Sequence, residues 1–162
     1  MIEPSTQPGE LLTIGDQVIR FDRVCTIEAY RKVDKSWAKQ CDCLFCRNFA
    51  PQRATVYPQS FLDLLHRVGI DPGKEGEVYD LGPAPSGKRL YGGWFFLCGQ
   101  LAKRGEAQAS IDGISYWLQG PGDMPSPSPS DAFDPDPLAL NFTLEVPWVL
   151  TGEDPEEPYR TS

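Results

Sequence analysis

Leu138-Ala139-Leu140-Asn141-Phe142-Thr143-Leu144-Glu145-Val146-Pro147-Trp148 decides the fold class. Leu138, Leu140, Phe142, Leu144, Val146 and Trp148 share one parity, and Asn141, Thr143 and Glu145 fall on the other. Successive side chains of a strand point to opposite faces, so this alternation predicts a half-buried antiparallel strand. Pro147 lacks a backbone donor and predicts a sheet edge or the end of that strand.

Further strands are expected on both sides of a central stretch. Leu11 to Ile14 reads as a short strand, Gly15-Asp16 as a turn, and Gln17 to Val33 as strand-like on its odd-numbered apolar residues. The polar pair Asp22-Arg23 reads as a bulge within it. Glu77–Leu81, Arg89–Lys103 and Ile114–Leu118 read as three more strands. Gly92-Gly93 predicts a bulge or the close approach of another backbone. The aromatics Tyr91, Trp94, Phe95 and Phe96 fit a core better than a binding surface. One principal helix is predicted over 58–68. Phe61, Leu64, Leu65 and Val68 follow helical spacing, Pro58 opens it, and Gly69 with Pro72 ends it. Strands outnumber helices and do not alternate with them, so the class is α+β: a mainly antiparallel sheet, one principal helix and a cysteine-bearing loop. The expected organisation is a flexible tail over 1–10, one domain over 11–150 with a Pro/Ser-rich mobile loop at 119–137, and an acidic, fraying tail over 151–162.

The chain carries 15 Lys and Arg against 23 Asp and Glu, a net charge of -8. That balance argues against nucleic acid and against anionic membranes as partners, and leaves a protein partner as the expectation. No apolar run is long enough to cross a bilayer, and the first residues lack the basic-then-apolar pattern of an export signal, so a cytoplasmic location is expected. Five cysteines form an odd set, which favours reduced thiols or a metal site over a disulfide framework.

Chemistry concentrates at Trp37-x3-Cys41-x-Cys43-x2-Cys46-x-Asn48-Phe49. A C-x-x-C pair can chelate one ion from a tight turn, and Cys41 is near enough to add a third sulfur. Thiolates favour zinc, which takes four ligands in a tetrahedron. The fourth ligand is open among Cys25, Cys98, Asp42, His66 and water. Cys25 and Cys98 also read as small buried hydrophobes, and His66, the one histidine, as a flanking or solvent-facing residue. A redox helix of the thioredoxin kind is not expected, because Pro51 cuts the segment after Cys46 short.

Other motifs fail on chemistry. Gly82-Pro83-Ala84-Pro85-Ser86-Gly87-Lys88-Arg89 approaches a phosphate-binding loop. It lacks the magnesium-binding Ser or Thr, two prolines remove N–H donors, and a strand follows in place of a helix, so a hairpin connection is expected. Glu75 with Glu77, and Asp134 with Asp136, read as solvated charge and not as acid–base pairs.

The cysteine motif, together with Gly69-Ile70-Asp71-Pro72-x-Lys74-Glu75, Tyr91-Gly92-Gly93-Trp94-Phe95 and Val146-Pro147-Trp148-Val149, resembles a family of small uncharacterised bacterial cytosolic proteins over roughly residues 17–150. That resemblance brings no activity and no catalytic residues. The expected function is a small bacterial binding or interaction protein, immunity-like, with a structural zinc knuckle. The alternative is an enzyme with a cysteine-ligated zinc in an open site, and the binding class is preferred.

Overall fold

The computed structural model describes residues 9–33, 41–120, 133 and 137–156. The fold is α+β, built on two antiparallel sheets. The strand read first is β8 (Leu138–Val146). It lies inside a five-stranded sheet, paired with β4 (Arg89–Leu97) on one side and β7 (Ile114–Gln119) on the other. The order of that sheet is β3 (Glu77–Pro83), β4, β8, β7, β6 (Ala109–Ile111). Pro147 therefore ends β8 and does not mark an edge. In the first half of β8 both parities are buried, because a central strand has neighbours over both faces; only Glu145 is exposed.

β4 is buried at eight of its nine positions, as expected for a strand covered on both faces. Gly92 and Gly93 sit where nothing larger fits. A Cβ at Gly92 would meet the Tyr79 ring, and one at Gly93 would meet the Glu77 carbonyl and the Phe142 ring. The expected close approach is thus made by side chains as well as backbone. Tyr91, Trp94, Phe95 and Phe96 are all buried. The segment 82–89 is the β3–β4 hairpin connection, closed by Ala84 N–H to Lys88 carbonyl at 2.8 Å, as its prolines suggested.

Two strand readings are corrected. First, only Gln17–Phe21 forms β2, which pairs with β1 (Glu10–Ile14) and β5 (Gly99–Lys103) in a three-stranded sheet. Asp22 then caps a helix, α1 (Arg23–Arg31), accepting a hydrogen bond from the Cys25 N–H at 3.0 Å. The buried residues Thr26, Ala29, Tyr30 and Val33 follow i, i+3, i+4, i+7 spacing, which the odd-position reading overlooked. Second, the stretch Arg89–Lys103 is two strands in two sheets, broken at Cys98. Glu10 of the expected tail lies in β1, and residues 151–156 are among those described; residues 1–8, 34–40, 157–162 and nearly all of the 119–137 loop lie outside the described residues. The principal helix is α4 (Gln59–Val68), with Pro58 just before it and Gly69 left-handed at φ +88° after it. Phe61, Leu65 and Val68 of α4 join the core, and Phe61 stacks among Tyr57, Phe95, Phe142 and Tyr116 at centroid distances of 5.5–6.5 Å.

Cys25 and Cys98 are joined in a disulfide across 73 residues. The start of α1 lies against the chain at Cys98: Asp22 N–H donates to the Cys98 carbonyl, and Cys98 N–H donates to Thr26 Oγ1, both at 3.0 Å. These bonds bring the two cysteines together. Glu75 is also corrected, from solvated charge to a buried carboxylate. Arg53 Nε donates to both of its oxygens, at 2.8 and 3.0 Å, and the Tyr57 hydroxyl adds a third bond at 2.8 Å.

Alkylating the unfolded chain before reduction should block the three free cysteines, and alkylation after reduction should block all five, read by mass. Closing a loop of this length is worth about 4 kcal/mol in the chain-entropy treatment, so reduction should lower the urea midpoint accordingly.

Candidate metal centre

The cysteine loop carries a helix that the sequence pattern did not show. Cys43 is the N-cap of α2 (Leu44–Phe49), and a 3-10 turn (Ala50–Gln52) and α3 (Arg53–Val56) continue it. Pro51 does not cut the helical path short. It occupies the first turn of the next helix, where its missing N–H costs nothing. The physical ground on which a helix after Cys43 was set aside is therefore wrong. No clear periodicity signals α2, because its buried residues Cys46, Asn48 and Phe49 face different partners.

The Sγ atoms of Cys41, Cys43 and Cys46 all lie within 4.8 Å of one another. They can hold a metal ion. Cys41 and Cys43 are exposed and Cys46 is buried. Cys46 N–H points at Cys43 Sγ across 3.5 Å. Partial burial works against the Cys43 thiolate, but this N–H and hydrogen bonds from the other two thiols outweigh it, and the Cys43 thiol sits below its ordinary value. Burial, followed by its two sulfur neighbours, pushes the Cys46 thiol far above the ordinary value. Cys43 and Cys46 therefore resist ionising together unless a cation offsets their charge.

The other proposed ligands are not brought to this group. Cys25 and Cys98 are bonded to each other, which removes both sulfurs. Their expected core reading holds for Cys98, which is buried, while Cys25 is half-buried on a helix and not on a strand. His66 is exposed near the end of α4 and lines a different cavity, with Arg23 and Lys74. Asp42 lies between the first two cysteines, and its carboxylate is not among the clustered ligand atoms. Trp37 lies outside the described residues.

Side chains that sequence reasoning passed over hold α2 in place. Asn48 is fully buried. Its Nδ2 donates to the Pro147 carbonyl at 3.0 Å and to the Tyr91 hydroxyl at 3.3 Å, and its Oδ1 accepts the Val149 N–H at 2.8 Å. The Tyr91 hydroxyl donates to the Phe45 carbonyl at 2.8 Å. The segment expected to fray crosses the same helix: Arg47 forks onto both oxygens of Glu153 at 2.9 and 3.1 Å, and Trp148 Nε1 donates to the Glu153 carbonyl. Arg89, buried and bidentate to Asp80, reaches Glu156. The signal for this latch was a pair of glutamates spaced three apart, but their arginine partners are remote in sequence.

No family model, no curated protein and no solved structure matches the chain. The functional reading therefore rests on the site.

Asn48→Ala strands the Val149 N–H, while the Pro147 carbonyl keeps its bond from Gln52 Nε2 at 2.9 Å, and should cost about 1–3 kcal/mol in denaturant unfolding. Glu153 offers a second measurement. Its carboxyl is held below the ordinary range by the Arg47 hydrogen bond, so the contribution of the latch is full above the ordinary carboxylate pKa and is lost as pH falls through the depressed value. In Arg47→Ala the Glu153 carboxyl should titrate at a higher pH, as read by NMR.

Proposed function

We propose that the protein is a metal-binding interaction protein in which Cys41, Cys43 and Cys46 hold one zinc ion as a structural knuckle. The observation that carries this reading is the convergence of three sulfurs within 4.8 Å. A tetrahedral zinc with Zn–S bonds near 2.3 Å spaces its sulfurs roughly 3.8 Å apart, which falls inside that limit. With the other two cysteines bonded to each other and the single histidine in another cavity, the fourth donor is an oxygen, from Asp42 or from water. The ion ties the chain entering at Cys41 to α2, whose Phe49 is fully buried in the core.

The exposure of Cys41 and Cys43 favours a second reading, a zinc open to solvent for catalysis. Against it, the latch carboxylate of Glu153, which would be a candidate base, is already held by Arg47. The proposed partner is another protein, in an immunity-like role, supported by the small size and the charge of -8; the same charge disfavours nucleic acid and membrane surfaces. No helix among the described residues is long and apolar enough to cross a membrane. A cytoplasmic setting suits the free thiols, and the oxidation state of Cys25–Cys98 in cells tests it.

Purified reduced protein should carry one zinc per chain. Cys43→Ser should lose the ion and, at zinc of about 100–1,000 times Kd, about 3–4 kcal/mol of stability. Zinc-free protein under these conditions would sink the metal reading. Preference for copper(I) over zinc would overturn the identity of the ion alone. Metal loss with stability unchanged would favour the open catalytic site.

A further inference from the structure

Arg23, Arg31, His66 and Lys74 line one cavity of about 300 Å³ between α1 and the turn after α4, with Asp71 as the only carboxylate on its wall among the described residues. In a chain with eight more acids than bases, this concentration runs against the composition. Part of it has a structural cause, because cations are favoured at the C-terminal end of a helix and Arg23 Nε donates to the His66 carbonyl at 3.1 Å. That bond fixes the Arg23 side chain and leaves its two terminal nitrogens without a partner among the described residues. Lys74 is fixed in the same manner, by donating to the Tyr30 carbonyl at 2.9 Å.

The carboxylates nearby are engaged. Asp71 accepts the Gly73 N–H at 2.9 Å and lies 3.8 Å from Lys74, and Glu28 pairs with Arg31 on the exposed side of α1. Ile27 and Ile70 add an apolar wall. Gly69 makes the enclosure. A Cβ there would lie 2.8 Å from the Arg23 carbonyl and 3.1 Å from Ile27, so only glycine lets the end of α4 close on α1.

We propose that this cavity binds a small phosphate monoester. The Arg23 fork, the Lys74 ammonium and the His66 ring all line this one cavity, and three separate donor groups suit the three free oxygens of a phosphate better than the flat pair of a carboxylate. The organic part rests on Ile27 and Ile70. The volume is at the small end of ligand cavities, enough for a phosphate and one ring. None of the lining residues belongs to the thiol site, so this inference stands or falls apart from the zinc reading.

The test is a titration of the full chain at low ionic strength, followed by amide NMR, with phenyl phosphate, inorganic phosphate and phenol as probes. Shifts should cluster over 23–31 and 66–74, with phenyl phosphate binding tighter than inorganic phosphate and phenol not binding. Arg23→Gln should weaken phenyl phosphate by about tenfold. Because Arg23 also braces α4, Lys74→Gln is the second variant and should weaken binding with the fold intact by circular dichroism. Shifts scattered over the surface, no saturation by phenyl phosphate, or an unchanged affinity in a folded Lys74→Gln variant would each overturn the proposal.

Discussion

Nine residue pairs join β4 to β8, from Arg89 opposite Val146 to Leu97 opposite Leu138. This pairing is the constraint on which the rest depends. It buries Phe95 and Phe142 between the sheet and α4, and it needs Gly93 because the Phe142 ring lies over that backbone. It also sets the place of the thiols. Tyr91 of β4 holds the Phe45 carbonyl, and the chain leaving β8 at Pro147 meets Asn48. Two neighbouring strands therefore hold the cysteine helix at two points.

That helix could not stand alone. Six residues are far below the length at which a helix is stable in water, since nucleation is costly and few bonds follow. Its persistence comes from tertiary anchors: Phe49 in the core, Asn48 against the end of β8, and Arg47 under the latch. The exposed Arg47–Glu153 pair contributes little by itself. Asn48 differs because its bonds are buried, and an unpaired partner there would be desolvated without return.

How far the sequence was legible follows from the same division between local and remote causes. The alternation over 138–146, the spacing of Phe61, Leu65 and Val68, and Gly69 as a stop are local patterns, and each was readable. The start of α1 was not. Asp22 as a bulge and Asp22 as a cap are both consistent with a polar interruption, and apolar residues between 24 and 33 satisfy strand parity in part and helical spacing in part. Glu75 was misread because its partners Arg53 and Tyr57 are 22 and 18 residues away, so nothing nearby indicated burial. The latch failed for the same reason at a longer range, with Arg47 and Glu153 separated by 106 positions. Cys41, Cys43 and Cys46 were legible as a group because their closeness is local.

The partition of the five cysteines shows how the fold limits their chemistry. Cys25 and Cys98 meet only because the cap of α1 is bonded to the chain at the sheet crossover, a contact across 73 residues. Once joined, they have no sulfur to offer the trio. The odd count, first a reason to favour reduced thiols or a metal site over a disulfide framework, is better explained as two cysteines bonded and three left free. The three sulfurs that remain free converge within 4.8 Å at the start of a helix that is fixed from both sides.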